Sequence, residues 1–225
     1  MPRNSDAAPS KSEETRSRIL NAALELFREH GFEQTTMRQI ATAADVAVGA
    51  AYYYFESKEA LVMAFYERAQ REMEPLLEQA LAAHKGFARR LRALLDVKFQ
   101  YFERDRSLLG ALSVHVDPGH RLSPFSDQTR EIRDKDIGFF ARALEGTGVR
   151  IPPDLNAHLP RLLWMYQMGL ILFWVYDHSP EQLRTRQLVD KSAAIVVRLI
   201  GFSGFPLLRP VRKSVVELLK TIYAE

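Results

Sequence analysis

Residues 36–61 read TMRQIATAADVAVGAAYYYFESKEAL. Thr36 and Gln39 have the spacing of a capping box, with a hydroxyl at the N-cap and an amide side chain three residues on. Met37, Ile40, Ala41 and Ala44 then recur at helical spacing and give one apolar face. Asp45 suits a turn or the next N-cap. From Ala47 to Phe55 small residues give way to aromatics, and Ser57-Lys58-Glu59 opens a further helix with Ser57 as N-cap. Two short helices around a tight connection, the second with a slim leading turn, describe a helix-turn-helix. A recognition helix must enter a groove about 12 Å wide, and Val48, Gly49, Ala50 and Ala51 keep its front narrow. Gly49 costs about 1 kcal/mol of helix propensity relative to Ala, which points to something approaching its backbone closely.

Working outward, Ser12 to His30 reads as a helix with an apolar stripe of Ile19, Leu20, Ala23, Leu24 and Phe27, closed by His30 and Gly31. Phe27-Arg28-Glu29-His30-Gly31-Phe32-Glu33-Gln34-Thr35-Thr36, Ile40-Ala41, Gly49, Tyr52-Tyr53-Tyr54-Phe55 and Ser57-Lys58-Glu59-Ala60-Leu61 together closely resemble the DNA-binding domain of TetR-family transcriptional regulators. The resemblance spans about residues 12–62. Beyond it the chain resembles that family only in length and helical character.

The resemblance implies an N-terminal three-helix DNA-binding domain over 12–62 and a C-terminal ligand-binding and dimerisation domain over 63–225. It implies a homodimeric repressor on a palindromic operator, released by a small effector. Tyr52 would then contact phosphate and Tyr53 would face the groove, with Lys58 on phosphate. The recognition helix departs from the commonest family pattern: Ala47 and Val48 stand where a hydroxyl or Lys is frequent, and Ala50 follows the glycine in place of Thr. Base reading therefore leans on Val48 and Ala50 against thymine methyls, with Arg38 and Tyr53. The expected DNA-binding set is Thr36, Arg38, Val48, Gly49, Ala50, Tyr52, Tyr53 and Lys58.

Composition narrows the class. The 225 residues contain no cysteine, which excludes disulfides and thiolate metal sites. The N-terminus has no apolar core and no long apolar run is unbroken, so a soluble cytoplasmic protein is expected, with no membrane partner. Net charge is +3, yet residues 1–60 hold seven Lys/Arg against nine Asp/Glu. DNA binding there must rest on where a few cations, hydroxyls and helix ends stand. That imbalance also motivates an alternative, a helical dimeric binding module without DNA affinity.

The remainder reads as all-α, for about ten helices in total. Residues 1–11 read as a disordered arm, with Lys11, Arg16 and Arg18 at its junction with the first helix. The helix from Lys58 contains Pro75, where a kink or break is expected, and where effector binding could be coupled to DNA binding. Further helices are expected at 87–104, 107–116, 127–144, 155–176 (with Pro160 in a first turn), 181–200 and 211–223. The 155–176 and 181–200 pair resembles the four-helix dimer interface of the family. Trp164 and Met168 with Phe99, Tyr101 and Phe102 are the expected pocket-lining residues. His115, Asp117 and His120 form a weak H-x-D-x-x-H pattern, outweighed by a plain loop reading. No metal, cofactor or catalytic motif is expected, and an enzyme is not.

Overall fold

The structure, a computed structural model, describes residues 10–222, excepting the side chains of 208, 220 and 222. Residues 1–9 of the expected arm lie outside the described residues. Eleven α-helical segments follow in order: α1 Lys11–His30, α2 Met37–Ala43, α3 Val48–Tyr54, α4 Lys58–Ala83, α5 Phe87–Phe102, α6 Arg106–Leu112, α7 Arg130–Leu144, the single turn α8 Pro153–Asn156, α9 Leu159–Val175, α10 Leu183–Phe202 and α11 Arg209–Ile222. Among the described residues there is no strand.

Local chemistry sets the helix ends. Ser10 and Glu13 close a capping box on α1, and Thr36 and Gln39 close another on α2. Ser57 Oγ accepts from the Ala60 amide at 3.2 Å. Gly31, at φ +83°, turns the chain out of α1 while its amide still bonds the Phe27 carbonyl. Phe32 then folds back edge-on to Phe27, 5.2 Å between centroids. Asp45 takes a left-handed φ of +50° between α2 and α3. Its short polar side chain makes it one of the few residue types that tolerate this. Pro160 lies in the first turn of α9, where its missing N–H costs nothing. Asp177 terminates the α9–α10 corner, taking bonds from Thr185 and from the Ser179 amide. Those donors, Thr185 foremost, hold its carboxyl well below the usual carboxylate range.

Two expectations about breaks need correction. α4 runs unbroken through Pro75 for 26 residues. Pro75 lies on the exposed side, where the carbonyl it frees can take water, while Met73, Leu77 and Leu81 hold the buried side. α10 likewise passes through Gly201 to Phe202 rather than stopping at Ile200. The segment expected at 107–116 is helical only to Leu112, and α7 begins at Arg130, three residues later than expected.

The helices pack into two cores. The first gathers Ile19, Leu24, Phe27, Ile40, Ala51, Phe55, Leu61 and Phe65. The second gathers Met73, Leu77, Leu91, Leu94, Leu95, Phe140, Leu163 and Trp164. Each large side chain buried in this way contributes about 1.5–3 kcal/mol before entropy is counted. The first core reaches past residue 62: Leu108 and Leu112 of α6 and Leu122 of the following loop belong to it. Arg28 of α1 also pairs with the buried Asp105 just before α6, both nitrogen contacts at 2.7 Å. α6 thus joins α4 in supporting α1. Among the described residues no helix is long and apolar enough to cross a membrane.

Candidate nucleic-acid interface and ligand cavity

α3 has two unlike faces. Ala51 is fully buried against α1 and α2, which its single methyl permits at close range. Val48 and Tyr52 on the outer side are 38% and 51% exposed, and Tyr53 is 83% exposed. Gly49 is exposed, and a Cβ built on it meets nothing within 4 Å. Packing within the chain therefore does not ask for a glycine there. Ala50 is half-buried beside it, and Arg38 projects from α2 as an exposed cation. Val48, Gly49, Tyr52, Tyr53 and Arg38 are accordingly all exposed residues of the α2–α3 unit.

Other residues of that unit are engaged inside the fold. Thr36, though exposed, uses its hydroxyl to cap α2, accepting from the Gln39 amide at 3.3 Å. Tyr54 turns to α1, where its hydroxyl accepts from Ser12 Oγ at 3.3 Å. Arg16 stacks its guanidinium 4.8 Å from the Phe55 ring. Lys58 is held most closely of these. Its ammonium donates to the carbonyls of Phe32 at 2.7 Å and Glu33 at 3.2 Å and lies 4.6 Å from the Phe32 ring. It holds the α1–α2 loop, and nothing in the local sequence announced partners 25 and 26 residues away.

A cavity of about 330 Å³ lies between α4, α5, α6, α7 and α9. Of the five expected lining residues, Phe102, Trp164 and Met168 line it. Phe99 and Tyr101 do not. Phe99 packs edge-on to Trp174 at 5.3 Å, and the Tyr101 hydroxyl donates to Glu72 at 2.6 Å on the outer surface. The physical reason is rotation of α5: Leu91, Leu94, Leu95 and Lys98 mark its buried stripe, and residues 99 and 101 fall on the flanks.

The walls are mostly apolar, with Met73, Leu109, Leu112, Val116, Phe125, Ile132, Ile171 and Val175 among them. Buried polar side chains also stand there: Gln70, Lys98, Arg133, Asp136 and Gln167. Lys98 ion-pairs with Asp136, whose second oxygen accepts from Gln167 Nε2 at 3.2 Å. Burial pushes the Tyr66 phenol up, so this wall residue stays protonated. The sequence does carry a trace of these residues. Lys98 lies four after Leu94, and Gln167 four after Leu163, so each interrupts an apolar stripe.

The histidine pair of the α6–α7 loop is a local packing feature. His115 and His120 stack 3.9 Å apart, and His120 Nδ1 accepts from the Leu122 amide at 3.2 Å. Among the described residues no three His, Asp or Glu are placed to hold a metal ion.

Comparison with known proteins bears on both regions. A family model described as bacterial regulatory proteins, tetR family, matches residues 19–65. A second, described as the tetracyclin repressor-like C-terminal domain, matches residues 90–222. The HTH-type transcriptional regulator UidR of Escherichia coli is 42% identical over 59 residues, which is 26% of this chain. The match spans only 30% of UidR's own length. The HTH-type transcriptional repressor KstR of Mycobacterium tuberculosis is 26% identical over 197 residues, covering 87% of this chain and 84% of that protein. Among solved structures, a TetR-family regulator of Syntrophomonas wolfei matches with a TM-score of 0.61 at 18% identity, over 87% of this chain and 99% of that one. At that identity the likeness bears on the fold.

Proposed function

Since the chain belongs to the TetR family of transcriptional regulators, we propose that it is a homodimeric repressor that holds a palindromic operator until an apolar or aromatic small molecule enters its cavity. The observation that carries this is the outer face of α3. It is exposed, aromatic and apolar, and is backed by a fully buried Ala51 that fixes it to α1 and α2. Gly49 supports it: a residue costing about 1 kcal/mol in a helix, with no neighbour inside the chain, suits a surface that something outside approaches.

In this reading residues 12–62 dock DNA. Val48, Gly49, Ala50 and Tyr53 face base edges with Arg38, while Tyr52 and Thr36 stand toward the backbone. Lys58 is assigned in this reading to the α1–α2 loop, since two of its three N–H groups donate to carbonyls there. Residues 63–225 dimerise and hold the effector. Phe173 and Tyr176 of the α9 end, with Leu183, Ile195, Leu199 and Phe202 of α10, are all more than 40% exposed. An apolar surface of that extent suits a two-fold partner, and two-fold symmetry sets two recognition helices against half-sites about 34–36 Å apart or a multiple of it. Operator and effector then weaken each other's affinity by the same factor.

Selection of bound fragments from the host genome, followed by salt titration on the recovered site, tests this. A palindromic site with affinity falling steeply in salt is expected. No recovered site, with the protein folded and dimeric, would leave a helical dimeric module without DNA affinity.

A further inference from the structure

The charges lining the cavity do not balance. Two cations, Lys98 and Arg133, face one carboxylate, Asp136. Lys98 and Asp136 neutralise each other, and Gln167 completes that carboxylate's bonding. Arg133 is left over. It is 8% exposed, and its contacts are neutral oxygens. Nη1 donates to the carbonyls of Pro124 at 2.9 Å and Ser126 at 3.0 Å, and lies 3.5 Å from the Thr129 hydroxyl. Nε has no partner. The acids that act on it from nearby, Asp134 and Asp127, are exposed, and Arg161 and Arg130 oppose them. Burial is the main influence on its proton affinity and lowers it, as expected of a buried cation with no carboxylate in hydrogen-bond contact.

A second donor in the same wall, Gln70 Nε2, is also unpartnered on a side chain 6% exposed. Two unpartnered donors, one of them on a cation that contacts no carboxylate, suit an acceptor that carries negative charge. A neutral occupant would displace water from around Arg133 and offer nothing in exchange; a cation would add to the imbalance. The remaining unpartnered atom, Gln167 Oε1, is an acceptor, which disfavours a second anionic group. Apart from Tyr66, Ser113 and Thr129, the rest of the lining is apolar.

Resting on the reading of this cavity as the effector site, we propose that the effector is a monoanionic amphiphile: an apolar body with a single carboxylate, held by Arg133 and Gln70. Arg133 is well suited to the task, since its planar fork meets a carboxylate in a fixed geometry.

Trp164 lines the cavity and reports on its occupancy. The test is a fluorescence titration of the intact protein with decanoate, decanol and decyltrimethylammonium at neutral pH, each below its micelle concentration. Decanoate is expected to bind about tenfold or more tightly than decanol, the difference a charged hydrogen bond makes, with the ammonium weakest. Arg133→Gln should bring decanoate to within about threefold of decanol and leave decanol unchanged. Because Arg133 also holds the 124–129 loop, Gln70→Leu provides a second variant, expected to weaken decanoate about threefold and decanol not at all. Decanol binding as tightly as decanoate to the wild type would overturn the carboxylate assignment and leave the effector cavity standing. Silence from all three probes would overturn both.

Discussion

Between α1 and α3 the inward side chains close on one another: Ile19, Leu24, Phe27, Ile40 and Ala51 are 1% exposed or less. Between α4 and α9 side chains of the same kinds surround about 330 Å³ of space, and three polar atoms on its walls have no partner. The contrast separates two ways of being specific. A surface that reads DNA must hold a fixed shape, so its support is packed without slack. A cavity that admits a molecule must leave room and leave bonding capacity unused until that molecule arrives.

The largest expected effect tests the packed side. Phe27→Ala should cost about 3–5 kcal/mol in urea denaturation, because the site cannot collapse around the loss. Met168→Ala, at a half-buried residue that lines the cavity, should cost distinctly less, about 1 kcal/mol. Equal costs would erase the distinction. Next is the ion pair in the cavity wall. Lys98→Met should cost about 3 kcal/mol by stranding Asp136, and the Lys98→Met/Asp136→Leu double variant should recover most of it. Failure of the double variant to recover would mean that the bond from Gln167 to the carboxylate matters as much as the one from Lys98. Lys58→Met should cost about 1 kcal/mol through the α1–α2 loop and leave the salt slope of operator binding as it was. A slope lower by about one unit would return Lys58 to the phosphate backbone. Smallest in stability is Tyr53→Ala, expected within about 0.5 kcal/mol of wild type in denaturation. Operator affinity in a gel-shift assay should nonetheless fall by about tenfold.

Features decided within a few residues were legible in advance. The box at Thr36–Gln39, the cap at Ser57, the exit at Gly31 and Pro160 in its first turn all depend on neighbours in sequence. What depends on helix orientation was not. Phe99 and Tyr101 were chosen for the cavity as large polar-tipped or aromatic side chains, yet the rotation of α5 aims Lys98 inward and leaves them at the sides. Pro75 was read as a kink or break because the rule is local; the break does not occur, and the buried flank of α4 runs on through it. The better guide to the cavity was the set of polar residues interrupting apolar stripes, Gln70, Lys98, Asp136 and Gln167. A core with no vacancy would not keep them.

Leu112 belongs to the first core and also forms part of the cavity wall, and its neighbour Leu108 is sealed in that core. The walls of the cavity are therefore not equally free to change over evolutionary time. Residues contributed by α7 and α9 can be exchanged to suit another molecule at little expense to the DNA-reading helices. Leu112 cannot, since a side chain reshaped for a new ligand would unseat α1 and α2. New ligand preferences in descendants of this chain should accordingly be written on one side of the cavity, with the α6 side inherited almost unaltered.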